Sequence, residues 1–396
     1  MTAKLPTVHP ITEPPGFHWF GYYDKFQVDP SGRFVLGMQV DFEHRSPRSE
    51  DIIRIGLIDL QDNNRWTELG TSRAWGWQQG CMLQWLPGSE TKVIWNDRFG
   101  DHFGCHILDI QTGEKRQLPG PIYTITSDGK TAFFPDFRRI QHCRPGYGYA
   151  GIPDPNRDIL APENAGIWRI DLESGEINLI FSLADVVKIP YPHGDFNKAT
   201  HWFNHLLVNT DDTRLEFLHR WRNPGQTGFD TRMLTIDFEG KNLHVVDDYG
   251  YTSHFIWRDP RHILAWAWHP THKDAFYLYE DRDQLKTADD VEVVGLGIMT
   301  VNGHCTYLPG NKWILNDTYP DENNLQHLYL YHISTGKRVE LGSFYAPPAY
   351  RGEWRCDLHP RATRDGQFVL IDSAHAGTGR QMYIIDIREI IGADIG

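Results

Sequence analysis

The sequence predicts an all-β fold: a seven-bladed β-propeller of four-stranded blades, closed into a ring by an N-terminal strand. Three observations predict it. A hairpin occurs in two near-copies about half a chain apart, Gly80-Cys81-Met82-Leu83-Gln84-Trp85-Leu86-Pro87-Gly88 and Gly303-His304-Cys305-Thr306-Tyr307-Leu308-Pro309-Gly310. The first runs on to Val93-Ile94-Trp95-Asn96-Asp97 and the second to Trp313-Ile314-Leu315-Asn316-Asp317. Seven Asp/Pro/Gly turns follow apolar strands, from Asp29-Pro30-Ser31-Gly32 to Arg364-Asp365-Gly366, with Asp128-Gly129, Asp211-Asp212 and Asp259-Pro260 among them. Seven later strands carry a tripeptide of the Ile-Asp-Leu kind or an aromatic variant of it, from Ile58-Asp59-Leu60 to Ile385-Asp386-Ile387. Their spacing of roughly 40–65 residues is that of propeller blades with loop insertions. Two unrelated sandwiches would not repeat one turn so regularly.

Each element follows from this period. The inner strand of a blade precedes its turn, because Gly and Pro there supply the backbone angles that reverse the chain. The last blade has three strands, so Val8-His9-Pro10-Ile11 is expected to add the fourth and cover two open edges. Residues 1–396 then form one domain. One segment breaks the rhythm, an insertion at about 137–165 rich in Arg, Gly, Pro and Tyr. It is expected to be an ordered loop over one face of the ring.

Composition narrows the function. Aromatics at 13% suit a sheet-rich protein. A net charge of −13 without a basic run excludes nucleic acid as a partner. No apolar run is long enough to span a membrane, and Met1-Thr2-Ala3-Lys4-Leu5-Pro6 lacks a signal core, so a cytoplasmic protein is expected. The five cysteines lack metal-knuckle spacing and read as core residues in a reducing compartment. There is no Gly-x-Ser-x-Gly elbow or phosphate loop.

Inner strands of a propeller line its axis. Counting back about five positions from each turn selects Asp24, Met82, Tyr123, His205, His254, His304 and His359. Four consecutive blades therefore bring histidine to one level. Imidazoles of neighbouring blades can share one ion, so His304 and His359 are candidate metal ligands. Asp357, two residues before His359, is expected on the same strand face and adds a hard oxygen suited to Mn²⁺ or a similar divalent ion, or to zinc. His254 is the candidate base. Arg232 is the candidate partner for a carboxylate or a developing anion.

From His205 to Asp386 these residues resemble the oligogalacturonate lyases, intracellular seven-bladed propeller enzymes of pectin breakdown. Asp230-Thr231-Arg232-Met233 resembles that family's Asp-Ala-Arg-Met, and Thr252-Ser253-His254-Phe255 resembles its Thr-His-Glu-Phe. Gly303-His304-Cys305 and Asp357-Leu358-His359-Pro360 stand where the family has Cys-Ser-His and His-Pro-His-Pro with their manganese ligands. His205-Leu206-Leu207 and Phe217-Leu218-His219 are similar to its His-Pro-Leu-Leu and Phe-Cys-His segments. Asp357 replaces the first histidine of the pair. The family's glutamine ligand has no counterpart; Glu353 is the nearest substitute.

The resemblance implies a carbon–oxygen lyase acting on uronic-acid oligosaccharides by metal-assisted β-elimination. His254 and Arg232 would be catalytic, and His205, His219, Arg138, Arg139 and Arg144 would bind substrate. Mn²⁺ would sit on His304, Asp357 and His359. The alternatives are a non-catalytic propeller serving as a binding or scaffold module, or a propeller lyase for another uronate-containing glycan.

Overall fold

A computed structural model describes residues 5–283 and 291–392; the two ends of the expected 1–396 domain and residues 284–290 lie outside it. The described residues form seven four-stranded antiparallel sheets in sequence order around a ring. Blade 1 is built from Phe17–Trp19, Phe34–Val40, Ile53–Asp59 and Arg65–Ser72. Blades 2 to 6 follow at 84–118, 124–182, 200–247, 252–294 and 306–345. Blade 7 takes Arg361–Ala362, Phe368–Ser373 and Gln381–Asp386 from the end of the described chain and Val8–Pro10 from its start. The closing register is Val8↔Ile385, His9↔Ile384 and Pro10↔Tyr383.

Alternation decides the packing. A strand's two faces both meet a neighbouring blade, so middle strands such as Phe34–Val40 and Phe368–Ser373 are apolar almost throughout. Trp85, Trp95, Trp202 and Trp221 are among the fully buried side chains between sheets, each removing a large apolar area from water. The seam between blades 7 and 1 adds polar bonds to an apolar cluster of Val28, Val35, Ile58, Leu370 and Met382. Arg361 donates to Asp372 at 2.8 Å and to Gln27 Oε1 at 2.7 Å, and Asp372 accepts the backbone N–H of Phe20 and Gly21.

Two segments position the site. The insertion, expected to be a loop, opens with a helix, α1 (Phe137–Cys143), because Asp136 is a capping residue that accepts from the N–H groups of Arg138 and Arg139. Arg139 is buried under it and spends its donors on Asp154 and the carbonyls of Asn156, Ile159, Leu160 and His201. The chain then crosses the ring face. Gly146 O accepts from Gln78 N ahead of blade 2, and the Tyr147 hydroxyl reaches Arg355 ahead of blade 7. The second segment, Gly21-Tyr22-Tyr23-Asp24-Lys25, leaves the inner strand of blade 1 and enters the centre. Gly21 has φ +103°, and a Cβ there would lie 2.9 Å from the Gln79 carbonyl carbon, so no larger residue makes this entry.

Candidate functional site

Backbone irregularities place three of the four histidines. His205 (φ 51°) and His359 (φ 42°) are left-handed, and the ladder slips between Asn204 and Leu207 and between Thr252 and Phe255. Irregularities of this kind re-aim a side chain out of the alternating pattern. His304 and His359 lie just before their blades' first strands rather than in them. Asp357 and His359 therefore converge through a left-handed turn, not through the strand period expected of them.

The outcome is a cluster of imidazoles, one pair tilted and the other edge-on. The His254 and His304 ring centres are 4.1 Å apart, and those of His304 and His359 are 4.2 Å apart. One donor atom each from His304, Asp357 and His359 falls within a mutual 4.8 Å. All three residues are no more than 3% exposed. Asp317 accepts from both the backbone N–H and the Nδ1 of His304, at 2.6 and 2.9 Å, which fixes the ring and leaves Nε2 buried without a partner. His359 Nε2 is likewise buried without a partner. Two buried, unpartnered imidazole nitrogens beside a carboxylate fit a borderline divalent ion. Asp317 is placed as the outer carboxylate that orients a ligating histidine.

Charge follows burial. His359 is held well below the ordinary imidazole range by desolvation and then by the nearness of His304. Burial also opposes charge on His304, but the Asp317 carboxylate outweighs it and raises the pKa. His254 is depressed well below its usual value, first by burial and then by His304. Its Nδ1–H donates to Asn302 Oδ1 at 2.9 Å, so Nε2 carries the lone pair, 3.4 Å from the Tyr319 hydroxyl.

Several expected site residues are placed elsewhere or already used. Arg232 is fully buried; its guanidinium donates to the carbonyls of Val186, Ile189 and Pro190 and to His219 Nδ1. It tethers the segment after blade 3 and is not brought to His254. His219 is held between Arg232 and His201, which leaves neither ring nitrogen for a sugar. His205 is bound by Tyr22 OH and Asp24, which in turn pairs with Lys25 at 3.2 Å; burial lowers its pKa to about 4 in spite of Asp24. Arg138 folds back on its own cap, Asp136, and Arg139 is internal to the insertion. Glu353 binds Ser46 and takes no part in the donor cluster. Arg144 alone among the expected substrate arginines faces the site, donating to Tyr147 at 3.2 Å.

Other residues enter that sequence reasoning missed. Tyr22 packs edge-on against His205 and His359, so the centre is plugged by a tyrosine rather than open. Arg355 donates to Asp357 at 2.6 Å and to Tyr147 OH at 2.6 Å. Burial opposes a phenolate at Tyr147, yet Arg144 and Arg355 bring its pKa down to about 7. The repeat itself held a signal for Asp317: the Asn-Asp pair ends both hairpins, and each Asp binds a histidine, Asp97 the Nε2 of His106 on the next strand and Asp317 the Nδ1 of His304.

The chain is thus a seven-bladed propeller with an axial cluster of histidines suited to a divalent ion. Comparison with solved structures agrees on the fold. Over 98% of this chain and 96% of the other, it superposes on an oligogalacturonate lyase from Vibrio parahaemolyticus with a TM-score of 0.67 and 15% identity. For an oligogalacturonate lyase in complex with manganese the TM-score is 0.68 and the identity 16%, over 99% and 96% of the two chains. The propeller domain of the Trilobed protease from Pyrococcus furiosus is also similar, with a TM-score of 0.54, 12% identity and coverage of 95% and 94%. No protein-family model matches the sequence, and no curated protein matches it. No helix among the described residues is long and apolar enough to cross a membrane.

Proposed function

We propose that this protein is a lyase that cleaves short uronic-acid oligosaccharides by β-elimination, with a divalent ion, Mn²⁺ by preference, held by His304, His359 and Asp357. One observation carries the reading: a neutral imidazole, His254, whose Nε2 meets only the Tyr319 hydroxyl, packs against a set of buried metal-type donors at the ring axis. The fold shared with two oligogalacturonate lyases supports it.

The reaction must remove a weakly acidic proton α to a carboxylate. A bound divalent cation would supply Lewis-acid stabilisation of the carboxylate as negative charge develops on it. His254 Nε2 takes the C5 proton, the C4–O4 bond breaks with its electron pair leaving on O4, and a C4–C5 double bond remains. Asn302 holds the opposite ring nitrogen as the donor, so Nε2, beside Tyr319, keeps the lone pair that would accept the proton. Depressed basicity keeps His254 neutral at physiological pH, the state a base needs. Tyr319 is held protonated by burial and lies beside that nitrogen, where its hydroxyl can hydrogen-bond the departing O4.

The test is ultraviolet absorbance of the conjugated product on a panel of oligouronides, with Mn²⁺ and with chelator. Absorbance that rises with Mn²⁺ and disappears with chelator is expected. A folded protein that yields no absorbance on any uronide would reject the lyase reading. His254→Ala should abolish turnover with fold and Mn²⁺ binding intact; surviving activity would remove His254 as the base.

A further inference from the structure

With Arg232 tied down, the substrate carboxylate needs another cation, and two keep guanidinium nitrogens without partners. Arg220 lies in the Leu215–Arg222 strand of blade 4, is only 6% exposed, and has Nε and Nη1 buried without a partner. Arg144, from the insertion, likewise leaves Nη1 buried without a partner. Both guanidinium carbons lie over the same ring, Phe229, at 4.9 and 4.7 Å. Among the described residues neither forms an ion pair with a carboxylate.

Two like charges held over one aromatic ring, neither ion-paired to a carboxylate among the described residues, are costly to bury. The strain shows at Arg220, whose pKa burial and then Arg144 lower to about 9. Tyr147, whose hydroxyl is shared between Arg144 and Arg355, offsets only part of it. Planar guanidinium forks match a carboxylate in geometry as well as charge. The position is apt too, because Arg144, Tyr147, Arg355 and Asp357 form one continuous hydrogen-bonded chain into the donor cluster.

We propose that Arg220 and Arg144 form a carboxylate-binding subsite that takes a uronate group of the substrate. The assignment rests on the uronide reading above and adds the residues that recognise the substrate's charge. The Phe229 ring holds both guanidiniums within cation–π distance.

The experiment compares D-galacturonate with D-galactose by calorimetric titration and thermal melting, on the wild type, Arg220→Met and Arg144→Gln, each with and without Mn²⁺. The wild type should bind galacturonate, melt higher in its presence and ignore galactose. Each variant should lose at least tenfold in galacturonate affinity while its Mn²⁺ affinity is unchanged. Arg220→Met should itself melt higher than wild type, since it removes an unpaired buried charge; if it does not fold, Arg144→Gln carries the same binding expectation. Equal binding of both sugars, no binding of galacturonate by the wild type, or unchanged affinity in the variants would overturn the subsite. Failure of the two readings is distinguishable. Galacturonate bound through Arg220 without cleavage of any oligouronide rejects the lyase and keeps the subsite. Cleavage by Arg220→Met at an unchanged KM rejects the subsite and keeps the lyase.

Discussion

At His304, Asp317 holds Nδ1 and the backbone N–H together and so frees Nε2 for the proposed ion. Asp317→Asn should lower Mn²⁺ affinity about 10–100-fold with little change in fold, measured by titration against a metal-sensitive dye. An unchanged affinity would mean that His304 does not depend on this contact. Arg232 works the other way: a residue that sequence comparison marks for chemistry is spent on three carbonyls and an imidazole. Arg232→Met leaves those acceptors buried and unpaired, so stability should fall by on the order of 3 kcal/mol. The melting temperature should drop while KM for a cleaved uronide, assayed well below the transition, stays as it was. Candidate His residues were legible because type and level recur from blade to blade. Asp317 left a trace in the repeated Asn-Asp hairpin end, but Arg220 and Tyr147 come from an adjacent strand and an insertion that share no period with them.

Elements carry the site by departing from regular structure. Left-handed angles at His205 and His359 cost on the order of 1–2 kcal/mol each in a non-glycine residue, and neighbouring blades hold them in place. The sequence period implied straight inner strands and therefore misjudged how Asp357 reaches His359. Helix α1 is the other departure. Its cap, Asp136, was visible as a residue type, but the surrounding Gly and Pro favoured a loop; burial of Phe137, Arg139, Ile140 and Cys143 decided for a helix. Because α1 sets the course of Arg144 and Tyr147, Asp136→Ala should lose about 1 kcal/mol of stability and raise KM for uronide more than it lowers kcat. Melting and steady-state kinetics together check this, and a fall in kcat alone would count against it.

For the whole molecule, buried neutral histidines couple stability to pH. Burial brings His201 and His205 to about 4 in the folded protein, against about 6.5 when unfolded. Below pH 6.5 the unfolded chain takes up protons that the native one refuses, so stability present above pH 6.5 is lost progressively down to about 4. Each site contributes about 3 kcal/mol across that window. The urea midpoint should fall steeply between pH 6.5 and 4.5; a flat profile would mean these rings are charged in the native state. Ring architecture, blade count, the closing strand and the histidine level were determined by sequence alone, because turns and apolar alternation are local and repeat with every blade. Tertiary structure alone decided which polar groups were left unpaired at the axis. That selection depends on contacts between residues far apart in the chain: Tyr22 with His205, Arg355 with Tyr147, Arg144 beside Arg220. Free donors and acceptors, which hold ions and substrates, are what remains once those long-range bonds are made.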